Sequence, residues 1–470
     1  MPYKTPYFDG MSRVLFGRPP VSQLEKLARG RSEVEQLCLG QFKLLFGAFI
    51  PVRLLEFRAP SGANSRRRVF SPAVTFWAFL GQVLDPGAPC RKALARVQAL
   101  LASQGLAAPS SDTRAYCKAR LRLPVRWLMR VIEAITDRLA GTGGARVLLI
   151  DGTTVLLPDT PKNQAKWPQS AKQKPGCGFP LMKLVGLFDM RSGAWLAVAR
   201  GNKHDGENTL ARRLFRHLRR GDTLVADRGF CSYEMICELA VLGVDVVMRN
   251  NASRGSDFRT GRRLGKGDHL IYWDRPKGKR YAHLPEHLVL REVRAREGRP
   301  GFRTREMVLV TTILLPEEMS REELGALYMG RWSIELFFDD IKTTMCMEML
   351  RTRSPAMACR ELLMHMIAYN LVRALVARSG APPARVSYKG ALDKLDAWAD
   401  LVWAARSKTA ARLLVDKLLE TIAEDEVPDR PGRREPRAVK RRPKPYQNLT
   451  KPRGEMKEIP HRSKYKKKTA

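Results

Sequence analysis

The chain has 470 residues, of which 84 are Lys or Arg and 47 are Asp or Glu, so its formal net charge is +37 and its pI is near 10.4. Charge of that sign and size calls for a polyanionic partner, because each phosphate neutralised releases condensed counterions. The longest apolar stretches, around 44–55 and 73–84, are too short or too broken by charge to span a bilayer, and no charged region followed by an apolar core opens the chain, so neither a membrane span nor a secretory signal is expected.

Taken in order, residues 1–140 read mostly as helices, with Ser61-Gly-Ala-Asn-Ser-Arg-Arg-Arg68 as a loop between two bundles. The second bundle carries Arg114, Lys118, Arg120, Arg122, Arg126 and Arg130, a basic density that suits a DNA-contacting module and equally a solvated helical face. Gly141-Thr-Gly-Gly144 punctuates the chain. From 145 to 254 the pattern changes. Val147–Ile150 is an apolar run leading into Asp151-Gly152-Thr153-Thr154, and Met182–Met190 and Ala194–Val198 flank the turn at Arg191 as a hairpin. A helix from Glu207, a strand Thr223–Ala226 leading into Asp227-Arg228-Gly229-Phe230, a helix from about 233 and a strand Val244–Met248 complete the segment. His204 precedes the Glu207 helix and reads as a capping or loop residue.

Residues 255–318, with Gly-rich basic turns and alternating runs, read as a β-rich insertion; helices return over 319–395 and 396–426. The segment 427–470 is Pro-rich and basic, ending near Lys464-Tyr-Lys-Lys-Lys468, a composition that argues disorder. Eight cysteines are scattered without a Cys-x2-Cys pair or a histidine in zinc-ligand register, so they read as thiols of a reducing cytosol.

The chemistry concentrates at Tyr328, Arg331, Trp332, Glu335 and Lys342. No Gly or Pro follows Gly330 in this run, and at about 100° per residue Tyr328, Arg331, Glu335 and Lys342 share a sector roughly 60° wide. One helical face thus presents a phenol, a guanidinium, a carboxylate and an ammonium, which suits a divalent cation beside gripped phosphates. At a spacing of four, Arg331 and Glu335 also suit a plain ion pair. Asp151 and Asp227, each after a buried strand, are the further carboxylates that hard cations at a phosphodiester need.

This pattern resembles the DDE transposases of the bacterial insertion-sequence group marked by Tyr-x2-Arg-x3-Glu-x6-Lys, which is present in full. The blocks at Asp151 and Asp227 resemble the two aspartate blocks of that family, Ser111–Arg120 resembles its pre-catalytic segment, and the likeness runs from about 70 to about 375. The resemblance implies an α/β protein with an RNase H-like core split by the insertion. It implies Asp151, Asp227 and Glu335 as catalytic residues holding two Mg2+ ions, with Mn2+ able to substitute. Tyr328, Arg331, Lys342, Arg228 and Trp332 would touch DNA, and Arg249 has the same charge and position. Asp339, one turn after Glu335, is an alternative ligand, but the signature specifies Glu335. The reaction expected is cut-and-paste transposition at terminal inverted repeats of double-stranded DNA through a hairpin. A homodimer in the cytoplasm, associated with the nucleoid, would carry it out. Trp273 and Tyr281 are candidates to stack on a flipped base, or are buried strand aromatics. The alternatives are an RNase H-like nuclease without strand transfer, a non-catalytic DNA-binding derivative, and an RNA-binding protein using the tail.

Overall fold

A computed structural model describes residues 21–56, 68–103, 105–141, 144–251, 253–297, 305–405, 407–427 and 451–456. Most of the Ser61–Arg68 loop and of the basic 427–470 segment lies outside these residues. The described residues form two compact units, one from the segments 1–131 and 395–418 and one from 132–394 and 419–470.

The first unit is helical: α1 (Val21–Phe46), α2 (Val52–Leu55), α3 (Pro72–Leu84), α4 (Cys90–Ser103), α5 (Arg114–Arg122) and the first part of α6 (Val125–Ala140), together with residues 395–418. Ser71 caps α3 by accepting from the Val74 amide, and Pro72 sits in the first turn, where its missing donor costs nothing. Phe76 on α3 meets Phe42 and Trp127 edge-on, at 5.9 and 5.4 Å. Of the basic residues noted above, Arg114, Lys118, Arg126 and Arg130 are exposed and Arg122 is half-buried. Arg120 instead turns into the core, over the rings of Phe79 and Tyr116 at 4.9 and 5.0 Å. It therefore drops out of any DNA-facing set.

The second unit is built on one nine-stranded sheet in the order β3-β2-β1-β4-β5-β9-β8-β7-β6. The strands are β1 (Val147–Leu156), β2 (Leu181–Asp189), β3 (Trp195–Gly201), β4 (Thr223–Ala226), β5 (Asp245–Arg249), β6 (Arg262–Gly265), β7 (Asp268–Asp274), β8 (His287–Glu297) and β9 (Arg305–Thr311). Its helices are α7 (Pro161–Lys166), α8 (Glu207–Arg212), α9 (Tyr233–Val241), α10 (Arg321–Met329), α11 (Ser333–Asp339) and α12 (Pro355–Arg378), followed by parts of α13 (Tyr388–Ala404) and α14 (Lys408–Glu424). β1 to β3 are antiparallel, and β4 and β5 run parallel to β1, joined by α9.

The residues read as an insertion do not stand apart: β9 pairs antiparallel with β5, and β8, β7 and β6 continue the sheet as a meander. A buried bidentate pair holds this extension, with Arg291 Nε and Nη2 donating to Asp268 at 2.8 and 2.6 Å. Trp273 is buried in the sheet's core with the Arg254 guanidinium 4.0 Å from its ring, and Tyr281 packs half-buried against the same core. Both therefore serve as packing aromatics in this conformation, while the neighbouring Tyr272 is 69% exposed.

One face of the central strands sends Leu148, Ile150, Leu224, Ala226, Val246 and Met248 against α8 and α9. On the other face Phe188 and Trp195 stack at 5.5 Å and meet Phe337, Phe338 and Tyr369 of α11 and α12. Alternation along β1 therefore aims Asp151 at the α11 face. Register between β1 and β4 is fixed at their start, where Arg146 Nε and Nη2 donate to Asp222 at 3.0 and 2.5 Å, both side chains almost fully buried. Asp222→Ala leaves that guanidinium buried without its counter-charge and should cost about 3–5 kcal/mol, whereas Arg146→Met with Asp222→Leu should recover most of it. Urea denaturation followed by tryptophan fluorescence checks both; equal loss in the single and double variants would contradict the role given to the pair.

Candidate active site

Arg146 and Asp222 each lie five residues upstream of an aspartate. The parallel register runs Val147 against Thr223 through Ile150 against Ala226, so Asp151 and Asp227 are the next residues on two adjacent strands, which lie about 4.8 Å apart. β4 ends there, but β1 does not: the β-branched Thr153, Thr154 and Val155 carry it to Leu156 along β2. Asp151 is thus inside a strand and not at its end, at the point where β4 leaves it. Each carboxylate is oriented by the next backbone amide, Gly152 N donating to Asp151 Oδ1 at 2.7 Å and Arg228 N to Asp227 Oδ1 at 2.6 Å.

The third carboxylate arrives on a helical run that begins at a capping box, where Ser320 and Glu323 exchange side-chain to backbone bonds. The run is not one uniform helix. α10 tightens to a 3-10 turn at Gly330–Trp332, resumes as α11, and widens to a π-helical turn over Asp340–Thr344. Gly330 lies against the end of the Met190 side chain, whose Cε would be 1.8 Å from a Cβ there and would have to move aside. The π turn moves Lys342 off ideal α-helical spacing, and its Nζ reaches Thr153 Oγ1 on β1 at 3.4 Å. Beyond it the Leu156 amide donates to the Glu348 carbonyl, tying the turn to the end of β1.

Arg331 stands at the middle of the group. Only 8% exposed, it places Nη1 3.8 Å from Asp151 Oδ2 and Nη2 3.5 Å from Glu335 Oε1, and its guanidinium lies 5.7 and 5.3 Å from the Tyr328 and Trp332 rings. Its Nε is buried without a hydrogen-bond partner. The ion pair that the Arg331 and Glu335 spacing suits is present, and it also takes in Asp151. Tyr328 is buried, and burial pushes its phenol up while its hydrogen bond with Arg331 opposes that; Asp227 and Arg249 are its other charged neighbours. Trp332 is 43% exposed and Arg228 is exposed, so both face outward from the site.

Burial raises the Asp151 carboxyl above the ordinary carboxylate range; the Gly152 amide and Arg331 pull it back, and the charges of Asp227 and Glu207 push it further up. Sequence reading did not single out Glu207. It opens α8, and its carboxylate lies where a Cβ on Gly152 would be, 2.7 Å from that position. A glycine directly after a candidate aspartate was the signal available. Asp339 is exposed and accepts from Thr343 Oγ1 at 2.6 Å, so it is engaged on its own helix. Asp340 points the other way, to the buried Arg373 at 2.8 Å, and burial lifts its pKa to about 6. Arg373 lies against Phe337, Tyr369 and Tyr388, so this pair clamps the Glu335 helix to α12. His204 lies in the turn before α8, where its amide donates to Asn202 Oδ1.

Among the described residues, no three His, Cys, Asp or Glu side chains are close enough to hold a metal ion as they stand. The donor chemistry nonetheless fits a hard divalent cation: the donors are carboxylate oxygens, and Asp227 and Glu207 already repel Asp151. A cation would relieve that repulsion, and Arg331 now occupies the charge-balancing position between Asp151 and Glu335.

A parallel-strand aspartate pair near a helical Arg and Glu has the residue types that phosphoryl-transfer chemistry uses. Residues 142–371 match the family model of the transposase DDE domain. The chain is 27% identical over 317 residues to the transposase InsG for insertion sequence element IS4 of Escherichia coli (strain K12), covering 66% of this chain and 70% of that protein. A solved cryo-EM structure of the piggyBac transposase synaptic complex with hairpin DNA aligns at a TM-score of 0.41 and 12% identity, over 81% of this chain and 85% of that one. Residues 142–371 thus carry a transposase DDE domain, and the chain is similar to an IS4 transposase. It is therefore a DNA-transposing enzyme of a family that uses divalent metal ions. No helix among the described residues is long and apolar enough to cross a membrane.

The raised Asp151 carboxyl binds its proton more tightly in the folded than in the unfolded chain. Its contribution to stability is complete below the ordinary carboxylate range and is lost as pH rises through the raised value. Asp151→Asn should therefore raise the Tm of the metal-free protein at pH 7, with the gain shrinking toward pH 4. A lower Tm at pH 7 would show that the Arg331 contact outweighs burial and repulsion.

Proposed function

We propose that the protein catalyses cut-and-paste transposition of an insertion sequence, cleaving and joining strands at terminal inverted repeats, with Asp151, Asp227 and Glu335 as the catalytic carboxylates. The supporting observation is that the buried guanidinium of Arg331 contacts both Asp151 and Glu335, while Asp227 follows the strand paired with that of Asp151 and repels it. In this reading the carboxylates hold two Mg2+ ions, which Mn2+ can replace. When bound, such ions activate a water or 3′-hydroxyl and stabilise the leaving oxygen.

The chain's own residues supply the rest. Arg331, whose Nε lacks a partner, exchanges its carboxylate contacts for phosphate oxygens when substrate arrives. Tyr328 keeps that guanidinium in place and offers its hydroxyl to an adjacent phosphate. Lys342, near Thr153, and Arg228 neutralise flanking phosphates. Trp332, half outside the surface, offers a ring to the DNA. In this reading the central strands, in the order β3-β2-β1-β4-β5, serve as an RNase H-like core that the strands β6 to β9 extend at its β5 edge. The exposed Arg114, Lys118, Arg126 and Arg130 would give the N-terminal helical region its DNA footprint. Excision by a hairpin and a homodimer holding two ends complete the proposal, in the bacterial cytoplasm at the nucleoid.

Cleavage of a labelled inverted-repeat end by the purified protein with Mg2+ tests this. Glu335→Ala should lower cleavage by at least about 10²-fold with DNA binding retained, as expected for loss of a metal ligand. Asp339→Ala, whose carboxylate serves Thr343, should cleave at close to the wild-type rate. Equal loss in both variants, or cleavage without strand transfer by the wild type, would overturn the assignment or reduce the protein to a nuclease.

A further inference from the structure

The helical unit holds a second group of reactive side chains that the carboxylate site does not use. Cys90 opens α4 and Cys117 lies within α5, and their sulfur atoms share a hydrogen bond at 3.9 Å. Arg120 Nη2 stands 3.2 Å from Cys90 Sγ and 3.6 Å from Cys117 Sγ. Gln82 Nε2 donates to Cys90 at 3.7 Å, while its Oε1 accepts from Tyr116 at 2.8 Å and from Arg120 at 3.4 Å. The ionisable groups facing the pair are thus Arg120 and Tyr116, with Gln82 and Thr113 adding hydrogen bonds.

A guanidinium this close to both sulfurs disfavours a soft metal cation and favours a thiolate. The hydrogen bond between the two sulfurs pulls Cys117 down to about 5 and pushes Cys90 up, while the Arg120 charge lowers both against burial. One thiolate therefore lies beside one thiol. Both are only partly buried, within reach of a small oxidant, whereas Cys38 and Cys231 are buried and pushed up to about 12.

We propose that Cys90 and Cys117 form a peroxide-reactive modification site that closes reversibly to a disulfide. The Cys117 sulfur attacks one oxygen of hydrogen peroxide and the O–O bond breaks. Hydroxide leaves and takes a proton from solvent to become water. The Cys90 sulfur then attacks the sulfenic acid, its S–O bond breaks, the S–S bond forms, and the hydroxyl leaves as a second water with the Cys90 proton. The two cysteines lose two electrons to the peroxide, and a dithiol reductant reverses the change. Bond formation strips the buried Arg120 of two sulfur acceptors and leaves it Gln82 and the faces of Phe79 and Tyr116. The site stands independently of the transposition reading.

The test uses the full chain, treated with hydrogen peroxide, alkylated, digested without reduction and mapped by mass spectrometry. The expected product is a Cys90–Cys117 linked peptide that dithiothreitol releases; Cys90→Ser should instead give a dimedone adduct at Cys117. A second readout needs no variant. Alkylation of Cys117 should proceed at nearly constant rate between pH 8 and 6.5, while an unperturbed small-molecule thiol slows about tenfold per unit below its pKa. Recovery of Cys90 and Cys117 as free thiols while the exposed Cys346 is oxidised, or a Cys117 rate that falls in step with the small-molecule thiol, would overturn the proposal.

Discussion

Like charges do not gather unless something holds them, and in this protein the holding begins with the parallel pairing of β1 and β4. The buried Arg146–Asp222 pair locks that pairing at its start, and the register then carries Asp151 and Asp227 side by side. Everything else at the site is arranged around the resulting repulsion. Burial and the two neighbouring acids raise Asp151, and the one buried cation, Arg331, spans Asp151 and Glu335 in compensation. A site balanced in this way is poised for cations, since a divalent ion can take over the balancing that Arg331 performs and free the guanidinium for an anion.

The helix that delivers Arg331 and Glu335 shows how packing adjusts local geometry to chemistry. Gly330 lies against Met190, the 3-10 turn reorients Arg331, and the π turn sets Lys342 beside Thr153. Behind it, Arg373 satisfies Asp340 and packs on three aromatic rings, so the acid adjacent to Asp339 is committed to scaffolding. Two neighbouring aspartates after Glu335 thus have distinct structural duties.

Much of this was legible in the sequence, because side-chain type and spacing carry it. The strands before Asp151 and Asp227 announce themselves by apolar runs bounded by polar turns, and the helical residues by their shared sector. What spacing could not give was tertiary. Arg120 reads as surface charge until its contact with Gln82 and two rings is known, and Glu207 reads as an ordinary helix start until its carboxylate is found against Gly152. The alternating strands from 262 to 311 look separable by composition, yet the open edge of β5 is available to pair, so they extend the sheet. The continuation of β1 past Asp151 rests on the β-branched Thr153, Thr154 and Val155 together with the antiparallel partner β2.

The central claim is that three carboxylates far apart in sequence share divalent cations. Iron-directed cleavage of the polypeptide measures that directly: Fe2+ replaces the native ion, ascorbate and peroxide generate radicals at the bound metal, and backbone cuts mark the neighbouring chain. With a DNA end bound, the account predicts cuts clustered near residues 151, 227 and 335, all suppressed by excess Mg2+. Cuts at 151 and 227 without 335, or cuts elsewhere that Mg2+ does not suppress, would contradict it.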